Sequence, residues 1–340
     1  MKSSGKYTPR KPGLQRLRGK KILILGGMGF IGSNLAHRCL ELGAEVFVYD
    51  NLDPRSGGNL YNIHDIEDSC HLLYYDILNF DQLSQEVNKK DIVFNCAAST
   101  SHPFSMKEPW IDLDVNSRGV INVLEAIRRF NRDVKFVHIG TSTQLGKLCY
   151  KPADEKHPEF PTDIYSANKM VSEKYVLIYA KAHDLNSTVV RLSNVFGPRA
   201  SIHSSDFTFN NYFIGLALQG KAITVYKPGS QLRNVLYVDD AIEALIAAAL
   251  SEKTNKETFF AVGDQHFSIA QIAEATVEIL GGSVKYVEWP KERKAIDIGD
   301  AVISNRKLKE LLNWSPRTEL KEGLVRVKEF FKPCLEKYIR

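Results

Sequence analysis

Residues 21–50 read KILILGGMGFIGSNLAHRCLELGAEVFVYD, and the order of their patterns decides the fold. An aliphatic run at 21–27 ends in glycines, FIGSNLAHRCLELG at 30–43 follows with helical spacing and a closing Gly43, and a second apolar run at 44–50 ends on Asp50. The same alternation continues outward. Apolar, β-branched runs recur at 72–76, 91–98, 134–140 and 187–193. Helical stretches lie between them at 80–88, opened by Asp81, at 109–130, and at 163–184, preceded by Pro161. Short strands separated by amphipathic helices predict an α/β fold, a doubly wound parallel sheet of the Rossmann type.

Beyond residue 194 the alternation weakens, so the chain divides into a basic flexible tail (1–20), a nucleotide-binding domain (21–193) and a smaller α/β unit over the substrate (194–340). Residues 235–262 are expected to return to the first sheet. The 340 residues are 44% apolar and 25% charged, which excludes a disordered or collagenous chain. Net charge is +5, yet the first 21 residues hold eight Lys or Arg and no acid, leaving the rest at −3. A basic footprint confined to a tail argues against nucleic acid as partner. That tail lacks the apolar segment of a signal peptide, and no stretch is long and apolar enough to span a membrane. Five dispersed cysteines without a CxxC suggest neither a disulfide framework nor a zinc site, and no other metal-ligand cluster stands out. A reducing cytoplasm is the expected location.

Gly26-Gly27-Met28-Gly29-Phe30-Ile31-Gly32 joins the first strand to the first helix. Glycines there allow a tight turn and let pyrophosphate approach the backbone N–H groups at the positive end of the helix dipole. Asp50 follows Gly32 by 18 residues, the spacing of a carboxylate that binds adenosine ribose hydroxyls and repels a 2′-phosphate. The cofactor expected is NAD rather than NADP, with Asp76 near the adenine and Ala97 and Ala98 as a close wall. Tyr165 and Lys169 stand i, i+4 on a helix that starts at the carboxyl edge of the sheet. An ammonium beside a phenol favours the phenolate, a general base near neutral pH. Thr141 and Ser142, just past strand five, offer hydroxyls at the same edge. The nine histidines look dispersed and are read as satisfied or solvated.

These residues resemble the extended short-chain dehydrogenase/reductase family, the NAD-dependent epimerases and dehydratases of nucleotide sugars, over about residues 21–330. GGMGFIG resembles the phosphate loop, with Gly26, Gly29, Phe30, Ile31 and Gly32 on the cofactor. YDNL at 49–52 resembles the ribose-binding strand end (Asp50, Asn51), and YYDI at 74–77 the adenine contact (Asp76, Ile77). NCAA at 95–98 and DVNSRGVINVLEA at 114–126 resemble the cofactor wall and the helix behind it, whose Asn116 the resemblance puts among the cofactor-binding residues with Tyr165 and Lys169. GTSTQLG and YSANK give Thr141, Tyr165 and Lys169 as the catalytic set. The resemblance implies a nucleotide-diphosphate sugar as substrate, held by Thr100, Ser142, Thr143, Asn194, Arg233 and Asp297, and a homodimer paired through helices 109–130 and 163–184.

In that family Tyr165 takes the C4 hydroxyl proton of the sugar, Lys169 holds the ribose, and Thr141 bonds the C4 oxygen. Dehydratases carry an Asp-Glu pair directly after the catalytic Thr, and decarboxylases a Glu at the second place. Here stand Ser142 and Thr143. The departure points to C4 epimerisation of a UDP-hexose or UDP-hexuronate through a 4-keto sugar. The same scaffold also runs ketoreduction or dehydrogenation, 4,6-dehydration, decarboxylation and 2-epimerisation, and a non-catalytic NAD-binding regulator is the reading from another class. Gly140 and Leu145 replace the family's usual Ser and Tyr, and both are expected to reshape the sugar pocket.

Overall fold

The computed structural model describes residues 17–339 apart from 292, 293, 295 and 296. Six parallel strands, β1 (Lys21–Leu25), β2 (Glu45–Tyr49), β3 (His71–Leu73), β4 (Ile92–Asn95), β5 (Lys135–Thr141) and β6 (Ser187–Leu192), are joined by a seventh, Glu257–Ala261. Their spatial order is Glu257–Ala261, β6, β5, β4, β1, β2, β3. The late strand pairs in parallel with β6, Phe259 opposite Val190. The order reverses between β1 and β4, and in open α/β sheets ligands bind at the carboxyl ends beside such a switch.

Alternation along the central strands buries both faces. Ile22 and Ile24 of β1 join one apolar cluster, with Leu35 of α1 (Phe30–Glu41) and Ile242 of the helix Val238–Ala249. Leu23 and Leu25 join the opposite one, with Leu83 of α2 (Phe80–Val87), Leu124 of α5 (Gly119–Phe130) and Val176 of α6 (Ile164–Ala182). This is why the strands read as continuous apolar runs rather than as a polar–apolar alternation.

Three local expectations are corrected. The third strand stops at Leu73, because Tyr74 and Tyr75 face solvent and have no second layer to cover them. Asp76 therefore sits on the loop beyond it. Helix α2 is capped by Asn79, whose side chain accepts the Gln82 N–H, rather than opened by Asp81. The helix expected at 109–130 is α4 (Pro109–Leu113) and α5 joined by a π-helical turn, Asp114–Arg118. A short helix that the pattern did not announce, α3 (His102–Lys107), precedes them, capped by Ser101.

Of the expected basic tail, residues 1–16 lie outside the described residues. Residues 17–20 belong to the folded body: Leu17 is fully buried, and Gly19 N–H donates to Gly43 O at 2.9 Å. Burial of one aliphatic side chain fixes the start of β1 against the end of α1. Leu17→Ala is expected to lower unfolding free energy by about 2–4 kcal/mol, the range for a buried leucine truncated to a methyl, read by chemical denaturation.

Candidate active site

The turn after β1 is set by close approach. Gly26 has φ +72°, and a Cβ there would lie 2.6 Å from Ala97 N, so the ends of β1 and β4 abut only because position 26 has no side chain. A Cβ on Gly32 would lie 2.1 Å from Gly26 O. Gly29 starts α1 without any side-chain cap, which leaves the first-turn N–H groups to an anion. A phosphate fits this cradle.

At the end of β2, Asp50 is buried, and its carboxylate accepts Met28 N–H at 2.9 Å and Leu52 N–H at 2.8 Å. Burial raises its pKa, against the lowering by those two bonds. Asn51 donates to Asp76 Oδ2 at 2.8 Å, which ties the ends of β2 and β3 together. Arg55, the cation that would attract a 2′-phosphate, is turned onto Asp53 at 2.8 and 2.5 Å.

These strand ends open into one cleft of about 1120 Å³. Gly26, Gly29, Phe30, Ile31, Gly32, Asp50, Asn51, Asp76, Ile77, Ala97 and Ala98 line it, as do Thr141, Tyr165 and Lys169. So do Thr100, Ser142, Thr143, Asn194, Arg233 and Asp297. Asn116 lies behind the wall instead. Buried in the π-helical turn, it donates to Ser99 O at 2.8 Å and accepts Ser99 N–H at 3.2 Å, so it holds the loop after β4 from the rear.

The reacting groups come from β5 and α6. Thr141 and Thr143 share a hydrogen bond of 3.1 Å, and Ser166 Oγ donates to Thr143 Oγ1 at 2.9 Å. Where a carboxylate would stand there is a chain of hydroxyls. Lys169 Nζ donates to Ile139 O at 2.6 Å and lies 3.4 Å from His138 Nε2. Burial pushes the lysine down to about 8. The expected lowering of Tyr165 by Lys169 is not what dominates. Burial drives the phenol well above its ordinary value, the Thr141 hydroxyl pulls it back, and the charges of Asp112 and Asp163 push it up again.

Farther out, Asn194 adopts φ +44° and donates to Asn234 O at 3.0 Å. Arg233 is anchored through Nη1 to Gly299 O at 2.6 Å and Leu232 O at 2.8 Å, with the charges of Asp297 and Asp300 nearby. The segment 200–213 contributes Phe207, Phe209 and Asn211 to the wall, which also includes Tyr226 and Trp289, whose rings lie 4.7 Å apart.

Of the two departures at 140 and 145, one reaches the cleft. Gly140 lines it, and a Cβ there would come within 3.0 Å of Arg191 Cγ, so the glycine makes room for a buried arginine that pairs with Glu173 at 2.7 and 2.6 Å and with Glu159. Leu145 instead packs in a separate apolar cluster with Phe260 and Ile303. Two histidines read as bland are part of the site. His138 is fully buried, held neutral by burial and the Lys169 charge, and bonded to Asn95 at 3.2 Å beneath the lysine. Its signal was a polar residue inside a doubly buried strand. His102 lines the cleft beside Tyr165, placed there by the unannounced helix α3.

An edge of this kind is built for a dinucleotide, and the chain belongs to the NAD dependent epimerase/dehydratase family, whose profile matches residues 22–263. It is an enzyme of NAD-dependent nucleotide-sugar chemistry, with NAD as cofactor. The chain is 31% identical to UDP-glucuronic acid decarboxylase 1 of Xenopus tropicalis, over 97% of this chain and 76% of that one. It is 29% identical to UDP-glucose 4-epimerase of Mycolicibacterium smegmatis, over 92% and 98%. Among solved structures, UDP-glucose 4-epimerase of Thermotoga maritima with UDP-glucose superposes with a TM-score of 0.83 at 27% identity, covering 93% of this chain and 99% of that one. No helix among the described residues is long and apolar enough to cross a membrane.

Asp50→Ala is expected to weaken NAD binding roughly tenfold or more, the loss of a charged hydrogen bond, while NADP binding holds or improves. Fluorescence titration of both dinucleotides measures the fall in the ratio.

Proposed function

We propose that this enzyme inverts C4 of a UDP-hexose or UDP-hexuronate through a transient 4-keto sugar. The observation that carries the reading is that Ser142 and Thr143 stand at the places of the carboxylates that dehydration and decarboxylation use, with the Thr143 hydroxyl bonded to Thr141 and Ser166. With hydroxyls rather than carboxyls at 142 and 143, reduction of the ketone on its other face is the fate this site favours.

NAD, which the glycine turn, Asp50 and Lys169 would hold, would supply the hydride acceptor and donor for C4. Tyr165 takes the C4 hydroxyl proton and later restores it. Thr141 hydrogen-bonds the C4 oxygen and steadies the phenol with which it already interacts. Lys169, on the same face of α6 and backed by neutral His138, holds the cofactor ribose and adds charge near the phenol. Arg233 and Asn194 take the diphosphate, and the aromatic wall of Phe207, Tyr226 and Trp289 faces the base.

A homodimer belongs to the same reading. Helices α4 and α6 pack together and expose Trp110, Leu113 and Ile178, with Trp110 at 76% exposure. Apolar groups this large on neighbouring helices favour burial against a second copy. Light scattering after gel filtration is expected to give twice the chain mass, and Trp110→Glu to give the monomer.

Incubation with UDP-glucose, UDP-galactose, UDP-glucuronate and UDP-N-acetylglucosamine, followed by NMR and NADH absorbance, is expected to yield an inverted sugar without net NADH. Loss of water or carbon dioxide, or stoichiometric NADH, would refute C4 inversion. Tyr165→Phe is expected to lower turnover by about 10²- to 10⁴-fold with NAD still bound.

A further inference from the structure

The cleft contains a second proton-handling arrangement beside Tyr165. His102, first residue of α3, sets its ring edge-on to the Tyr165 ring, with centroids 4.7 Å apart and planes at 72°. Its Nδ1 lies 2.8 Å from Asp163 Oδ2. The other carboxylate oxygen of Asp163 accepts Ser166 N–H at 2.8 Å and caps α6, so the acid is fixed by the helix that carries Tyr165. Ser105, one turn along α3, accepts Tyr165 N–H at 3.1 Å. Three contacts thus lock α3 onto the start of α6.

Burial raises the Asp163 carboxyl, but the hydrogen bond and charge of His102 outweigh it and hold it below the usual carboxylate range. An ionised Asp163 is an acceptor only, so Nδ1 is the donor, and Nε2 is the ring nitrogen left to act as base or donor. Both residues line the cleft, and the His102 side chain keeps 36% exposure. An acid that orients an imidazole next to a reacting hydroxyl is a recurrent way to build a proton acceptor. The other ionisable neighbours are Tyr165 on α6, Asp112 of α4, whose charge acts on Tyr165, and Lys107 at the far end of α3.

We propose that His102, oriented by Asp163, is a further substrate-positioning residue of this site, which accepts through Nε2 a hydrogen bond from a sugar hydroxyl next to the reacting C4. The inference deepens the nucleotide-sugar reading and rests on it. The hydroxyl donates, the imidazole accepts, and the bond aligns the ring so that the C4 hydroxyl meets Tyr165. In its neutral form His102 accepts; once protonated it cannot. The role therefore demands the neutral ring, and the Asp163 carboxylate keeps Nδ1 as the donor so that Nε2 stays free to accept.

The experiment is kcat/KM against pH from 5 to 9 for the wild-type enzyme, His102→Gln and Asp163→Asn, with UDP-glucose and UDP-glucuronate as probes. NAD affinity and thermal midpoint are measured on each protein. Asn at 163 keeps an oxygen to cap α6. The expected results are an acid limb in the wild type, its disappearance in His102→Gln with roughly a tenfold or larger fall at pH 8, and a displaced limb in Asp163→Asn. NAD affinity stays unchanged in both. An acid limb kept at the wild-type position in either folded variant overturns the role of His102. If His102→Gln does not fold, the Asp163→Asn limb decides alone. A wild-type protein that binds NAD but turns over neither these sugars nor the wider panel removes the nucleotide-sugar reading and this inference together, whereas turnover with unmoved limbs removes only the inference.

Discussion

The close contact between the ends of β1 and β4 is the constraint on which the site depends. Gly26 meets Ala97 across the point where strand order reverses, and no side chain fits between them. Because every strand of the sheet is parallel, all carboxyl ends arrive at this same edge. The glycine cradle, the Asp50 carboxylate, the alanine wall, Thr141 and the start of α6 are thus neighbours by geometry, although they span residues 26 to 169 in the chain.

Beneath that edge lies a buried polar layer. Asn95, His138 and Lys169 form one part, and Arg191 with Glu173 and Glu159 the other. Burying charge is costly unless it is paired, and such pairs seldom add net stability. Their effect here is positional. Neutral His138 gives Lys169 a partner that does not compete for its charge, and Gly140 surrenders a side chain so that Arg191 passes under β5. Lys169 is thereby held between Ile139 O and His138 at the cleft floor.

The elements that were legible in advance are those whose signal is local. The strand–glycine–helix–acid order of 21–50 survives in the structure because each part has its own short-range cause: aliphatic alternation, absence of Cβ, helical spacing. The i, i+4 pair on α6 likewise depends only on helix geometry. The readings that needed correction depend on what packs against a residue. Asn116 looks like a cofactor contact but spends its amide on Ser99; Leu145 looks like a pocket residue but meets Phe260 and Ile303. Tyr74 and Tyr75 look like strand residues, yet no layer covers them.

Sequence by itself determined the parallel α/β architecture, the dinucleotide edge and the Tyr165–Lys169 pair, because periodicity and steric freedom act over a few residues and need no partner. Only the tertiary structure decided that His102 stands against Tyr165 with Asp163 behind it, that His138 lies under Lys169, and that burial rather than the nearby ammonium governs the phenol. Those are relations between residues tens of positions apart. Hydrogen bonding and desolvation depend on distance in space, and distance in space between remote residues is set by how the helices pack on the sheet.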